Sequence, residues 1–160
     1  MVRTSAILAS ALSLSLVTPA LAGQGAASDA AKLIGTWRLV AFTSDSASMA
    51  MRGAKPTGLL IYDATGHMAA QIAPDRRRPS WPQKQLPTPQ QALDAVTGYA
   101  AYFGTYKVDA KSHMVTHHRE GALNLDLVDY VRKYEFQGTD RLVLLPAERP
   151  ENRLVWERVK

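Results

Sequence analysis

GYAAYFGTYKVDAKSHMVTHHREG, residues 98–121, is the stretch whose reading decides the fold. It holds two runs of alternating character, Tyr99 to Asp109 and Met114 to Gly121, joined by the polar turn Asp109-Ala110-Lys111-Ser112. A period of two is the mark of strands. A turn between Val108 and His113 sets the expected register. Val108 then faces His113, Tyr106 faces Val115, Gly104 faces His117 and Tyr102 faces Arg119. Cross-strand partners point to the same side. One face therefore gathers Tyr102, Gly104, Tyr106, Val108, His113, Val115, His117 and Arg119. The other gathers Phe103, Thr105, Lys107, Met114, Thr116, His118 and Glu120. Lysine, glutamate and threonines suit solvent, so the tyrosine and valine face is read as interior.

The chain on either side supplies more strands. Leu33 to Phe42 opens the fold, with Trp37, Leu39 and Ala41 on one face and Arg38, Val40 and Phe42 on the other. Ser44 to Lys55 reads as a loop. Thr57 to Tyr62 and His67 to Ala73 flank the turn Asp63-Ala64-Thr65-Gly66. Pro74 to Pro89 holds Arg76-Arg77-Arg78, Trp81 and repeated prolines, which break helix and ladder alike. It reads as a long surface loop. One helix fits the pattern, Thr88 to Val96, with Thr88 as N-cap, Pro89 at its first position and Gly98 at its end. Strands Tyr130 to Phe136, Leu142 to Leu145 and Arg153 to Val159 follow. Eight short strands with tight turns predict an all-β, single antiparallel barrel carrying one short inserted helix.

Composition bounds the function classes. The 160 residues suffice for one domain with a core. Net charge is +5, but the basic residues form no long run, which speaks against nucleic-acid binding. The absence of cysteine excludes a disulfide scaffold, a thiolate metal site and a cysteine nucleophile. Met1 to Ala22 has a short basic start, an apolar core from Ala6 to Val17 and an A-x-A end. It reads as a signal peptide, residues 1–22, cleaved after Ala22. Residues 23–32 are then a flexible leader and 33–160 the barrel, in a periplasmic or secreted protein. No other segment is long and apolar enough to span a bilayer.

The interior face carries the chemistry. His117 and His118 point to opposite sides of a strand, and His113 lies roughly 13 Å along the strand from His117. No metal site is expected, and no cofactor. His117 with Tyr102 and Tyr106 could act as an acid/base set, or as a histidine hydrogen-bonded inside the barrel wall. No nucleophile elbow or glycine-rich phosphate loop is present. On the next strand Tyr130, Arg132, Tyr134 and Phe136 share a face. Arg132 and Tyr134, two residues apart, would suit a carboxylate clamp. Interior arginines at 119 and 132 need either carboxylates, from Asp126, Asp129 or Glu120, or an anionic ligand.

IGTWRLV at 34–40, GLLIYDATGHM at 58–68, YFGTYKVD at 102–109, VTHHREG at 115–121, VRKYEF at 131–136 and LVWERV at 154–159 together resemble the lipocalin-like domain family of bacteria and fungi. The resemblance covers Leu33 to Val159. It implies a calycin-type barrel with an internal cavity and no established activity. Gly35-x-Trp37 also resembles the first-strand signature of true lipocalins, in which the Trp closes one barrel end beneath a late Arg. The resemblance makes Trp37 and Arg158 that pair. The expected function is binding of a small, largely apolar ligand with an acidic group, lined by Tyr102, Tyr106, His117, Arg119, Arg132 and Tyr134. The alternative is a small-molecule isomerase, cyclase or hydrolase with His117 as its acid/base.

Overall fold

A computed structural model describes residues 29–77, 80–82, 84–124 and 126–160. The expected signal peptide and most of the leader lie outside the described residues. Eight antiparallel strands close into a barrel in sequence order. They are β1 (Gly35–Thr43), β2 (Thr57–Tyr62), β3 (His67–Ala73), β4 (Ala100–Asp109), β5 (Met114–Ala122), β6 (Tyr130–Gln137), β7 (Arg141–Pro146) and β8 (Arg153–Arg158). β1 pairs with β8 to complete the ring. Closure leaves no open sheet edge. No helix among the described residues is long and apolar enough to cross a membrane.

Alternation fills the interior. Trp37, Leu39, Leu60, Tyr62, Met68, Ala70, Ile72, Val115, Tyr134, Leu142, Leu144, Leu154 and Trp156 form one buried cluster. β1 departs from the expected pattern. Leu39 pairs with Trp156 and Ala41 with Val155, so a bulge absorbs one residue between them. A bulge reverses the faces beyond it. Phe42 consequently turns inward opposite Leu154, while Ala41 is exposed.

The central hairpin keeps its faces but not its register. Asp109 pairs with Met114, Val108 with Val115, Tyr106 with His117 and Gly104 with Arg119. The slip from the expected pairing is two residues, an even number, so the paired residues keep their sides. The cause is the turn. Asp109 accepts from the Lys111 N–H at 3.0 Å and from the Ser112 hydroxyl at 2.7 Å. His113 takes a left-handed backbone, φ 54°, and is exposed beyond the strand rather than facing inward. A second bulge between Phe103 and Gly104 sets Tyr102 against Ala122.

The two barrel ends differ. At one end the turns are tight. A helical turn over 29–33 lays Leu33 across Trp37, whose indole N–H donates to the Leu33 carbonyl at 2.8 Å. That turn falls at the end of the stretch expected to be a flexible leader. At the other end the connections are longer and carry α1 (Ser46–Arg52) and α2 (Pro89–Val96). α1 replaces part of the expected loop from Ser44 to Lys55. Asp45 caps it by accepting from the Ser48 N–H at 2.9 Å, and Gly53 ends it at φ 81°. α2 has a full capping box between Thr88 and Gln91. Arg76 ties the loop before α2 to its far end, donating to the carbonyls of Asp94 at 2.6 Å and Thr97 at 2.9 Å.

Candidate functional site

Between α1, the chain entering β4 and the barrel rim lies a cavity of about 220 Å³. Its floor is apolar: Leu60, Ala70, Ile72, Leu144, Leu154 and Trp156. Its upper wall carries four arginines, Arg52, Arg119, Arg132 and Arg149, and no carboxylate among the described residues. Each arginine arrives by a different route. Arg52 ends α1 and packs its guanidinium 5.5 Å from the Phe42 ring centroid, the ring that the β1 bulge turned inward. Arg119 comes from β5, Arg132 from β6, and Arg149 from the β7–β8 connection.

Tyr130 separates two of these cations. The Arg119 guanidinium carbon lies 3.8 Å above its ring and that of Arg132 5.1 Å away. Arg119 is buried and largely satisfied. Its Nε donates to the Val128 carbonyl at 2.6 Å, and Asp126 stands 3.6 Å from Nη2, within ion-pair reach but beyond a hydrogen bond. Asp129, the other carboxylate considered for an interior arginine, pairs outside the barrel with His118 at 2.7 Å. Arg132 has no carboxylate in ion-pair reach among the described residues, and its charge acts on the Tyr102 phenol beside it. Burial pulls the Arg52 pKa below its ordinary value, and the nearby Arg132 charge pulls it further. Two like charges at one wall of a partly dry cavity repel, and a bound anion relieves both.

His117 stands behind this wall. It is completely buried, with Nε2 2.6 Å from the Tyr62 hydroxyl and Nδ1 3.0 Å from the Tyr102 hydroxyl. Burial, then the charge of Arg132, holds its pKa well below the usual imidazole range, so the ring is neutral. Burial also raises Tyr62 well above an ordinary phenol, and raises Tyr102 against the opposing pull of Arg132. The cavity thus touches Tyr102, and Tyr102 touches His117.

Of the residues expected to line a pocket, Tyr102, Arg119 and Arg132 do so together. His117 reaches the cavity through Tyr102. Tyr106 and Tyr134 do not meet it; both hydroxyls serve the tight end of the barrel. Tyr106 donates to the Asp63 carbonyl at 2.9 Å. Tyr134 donates to Asp29 at 2.9 Å, and burial followed by that carboxylate raises its pKa. The expected Arg132–Tyr134 clamp is therefore divided: both point inward, but two residues of strand carry Tyr134 out of reach of the mouth. Tyr102, from β4 on the other side of β5, stands beside Arg132 instead. At the tight end the Arg158 guanidinium lies 4.1 Å from the Trp37 ring centroid.

Arg52, Arg149 and Tyr62 were not among the expected site residues. Arg52 was hidden because α1 read as loop, although Asp45 and Gly53 bracket a helix-length run. Tyr62 shares a parity with Leu60 on β2, which marks its face but not its pairing with His117. Two buried donors at this site lack a hydrogen-bond acceptor among the described residues, Arg119 Nη2 and Trp156 Nε1.

A family model described as a lipocalin-like domain matches residues 34–159, from the end of the helical turn to the last strand. No curated protein matches the chain.

Proposed function

Since the chain belongs to the lipocalin-like domain family, we propose that it binds a compact, largely apolar small molecule in the mouth of the barrel and holds that molecule by an acidic group. The observation that carries this reading is the wall of four arginines above an apolar floor, of which Arg52, Arg132 and Arg149 have no carboxylate in ion-pair reach among the described residues. An uncompensated cation in a partly dry cavity is costly, and an anionic ligand offsets that cost. The cavity volume of about 220 Å³ is modest for a ligand pocket. That suits a short aromatic or branched acid rather than a long acyl chain. The protein would meet this ligand in the periplasm or outside the cell, after removal of residues 1–22.

Cinnamate is a suitable probe: an apolar ring, a short stem and one carboxylate. Calorimetric titration should show binding to the wild type, and Arg132→Met should weaken it about tenfold or more, the value of a charge-assisted hydrogen bond. Unchanged affinity in Arg132→Met would remove the arginine wall from the account. Native mass spectrometry of protein taken from its own periplasm should find a small acid bound.

The enzymatic alternative takes its support from the hydrogen bond between Tyr102 and His117. His117 itself does not border the cavity, so any proton exchanged with a substrate would pass through the Tyr102 hydroxyl. Turnover abolished by Tyr102→Phe, with binding retained, would favour this reading.

A further inference from the structure

The Tyr62–His117–Tyr102 chain contains a choice that hydrogen-bond accounting resolves. A neutral imidazole donates from one ring nitrogen and accepts at the other. Each nitrogen here faces a phenol, Tyr62 at Nε2 and Tyr102 at Nδ1. One phenol therefore donates to the ring and the other accepts from it.

Tyr62 is 1% exposed, and His117 is its hydroxyl's partner in the fold. If Nε2 carried the hydrogen, the Tyr62 oxygen would accept it and the Tyr62 hydrogen would have no other acceptor among the described residues. A buried donor left unmade is penalised in full. With the hydrogen on Nδ1 the chain closes. Tyr62 donates to Nε2, and Nδ1 donates to the Tyr102 oxygen. Tyr102 then accepts from the ring rather than donating to it, and its own hydrogen remains to be placed. Tyr102 lines the cavity beside Arg132.

We propose that His117 is a positioning residue, held as the Nδ1–H tautomer, which turns the Tyr102 hydroxyl hydrogen into the cavity as a donor to the ligand's acidic oxygen. This rests on the reading that the cavity binds an acid, and it sharpens the ligand class. Arg132 and Tyr102 together present hydrogens only. The group they hold is an acceptor without hydrogens of its own, a carboxylate or similar oxyanion, and an amide in its place sets its N–H groups against donors. The imidazole acts as a fixed dipole behind the phenol, and no proton leaves it.

The test has two arms. Long-range proton–nitrogen NMR on the ligand-free protein reads the tautomer directly. The expected result is a hydrogen on Nδ1 of His117 and none on Nε2; the reverse tautomer overturns the proposal without touching the binding reading. The second arm compares cinnamate with cinnamamide. Wild-type protein should bind cinnamate at least about tenfold more tightly than the amide, and Tyr102→Phe should lose about tenfold for cinnamate and nearly nothing for the amide. His117→Asn, whose amide N–H can stand in for Nδ1–H, should keep cinnamate affinity within about threefold, whereas His117→Gln should resemble Tyr102→Phe. Circular dichroism selects the variants that fold, and the wild-type NMR result stands without them. Full cinnamate affinity in a folded Tyr102→Phe overturns the proposal and leaves the arginine wall intact. Failure of the wild type to bind cinnamate counts against both.

Discussion

A buried imidazole flanked by two phenols makes a definite statement about pH. The His117 pKa is depressed in the folded protein, chiefly by burial and then by Arg132 and His118. The unfolded chain therefore takes up the proton first. The stability owed to the neutral ring is complete above about pH 6.5, and it is lost as pH falls from there toward the folded value. One proton of difference gives a slope of about 1.4 kcal/mol per pH unit. Asp29, Asp45, Asp63 and Asp109 have pKa values below their ordinary 3.8, so their contributions fail only at lower pH and stay out of this window. Urea unfolding at steps from about pH 7 to pH 5 should show stability falling, while the folded-state His117 ring resonances stay put. A ring that titrates near about pH 6.5 in the folded protein would contradict its burial. His117 was legible in the sequence as an inward residue, because its parity with Tyr102, Tyr106 and Arg119 survives any even slip of register. Its partners were not all legible. Tyr62 lies 55 residues away, on a strand that meets His117 only when the barrel closes.

Among the elements, the two short helices decide how the mouth is covered. Neither has a buried residue, so packing of an apolar face is not what holds them. Their ends do. Gly98, at φ 76° just past α2, sits where a Cβ would collide with the Met51 carbonyl of α1. Gly53, at φ 81° after α1, leaves the same kind of room for the Asp75 backbone. The Asp75 N–H in turn donates to the Arg52 carbonyl at 2.6 Å. Gly98→Ala should therefore cost about 1–3 kcal/mol, for the left-handed backbone and the displaced α1. Hydrogen exchange should show protection falling in α1 and α2, with the barrel strands less affected; a uniform loss across the barrel would mean the helices are not a separate unit. α2 was readable because Thr88, Pro89 and Gln91 spell its start. α1 was not, because seven residues without an apolar stripe give no period to detect. That omission also concealed Arg52. The β1 bulge was equally invisible, since alternation cannot announce the residue at which it skips, and so Phe42 was placed on the wrong face.

In the whole molecule the barrel divides its arginines between two tasks. At the tight end Arg158 is fully engaged. It lies over Trp37 and donates to the Ile34 carbonyl at 2.8 Å and the Lys32 carbonyl at 2.7 Å, carbonyls at the end of the helical turn over 29–33. Gly35 makes this approach feasible, since a Cβ there would stand 2.6 Å from Arg158 Nη1. The spacing of Gly35 and Trp37 thus has a physical cause: the first clears a path for the guanidinium and the second gives it a face. At the mouth Arg132 lies beside a phenol and an aromatic ring, with no carboxylate in reach among the described residues, and its charge works against Arg52. The two ends should respond in opposite ways to the same substitution. Arg158→Met loses the stacked cation and its bonds to backbone carbonyls, about 2 kcal/mol in all. That lowers the melting temperature by on the order of 8 °C for a domain of this size. Cinnamate affinity should be unchanged, because no wall of the cavity has moved. Arg132→Met should instead weaken cinnamate binding while leaving the melting temperature level or higher, since it removes a like-charge repulsion and an unpaired cation. Thermal melts and titrations on the two variants decide the matter. If Arg132→Met melts as far below the wild type as Arg158→Met does, the mouth arginine is a structural member and the cavity has lost its claim to an anionic ligand.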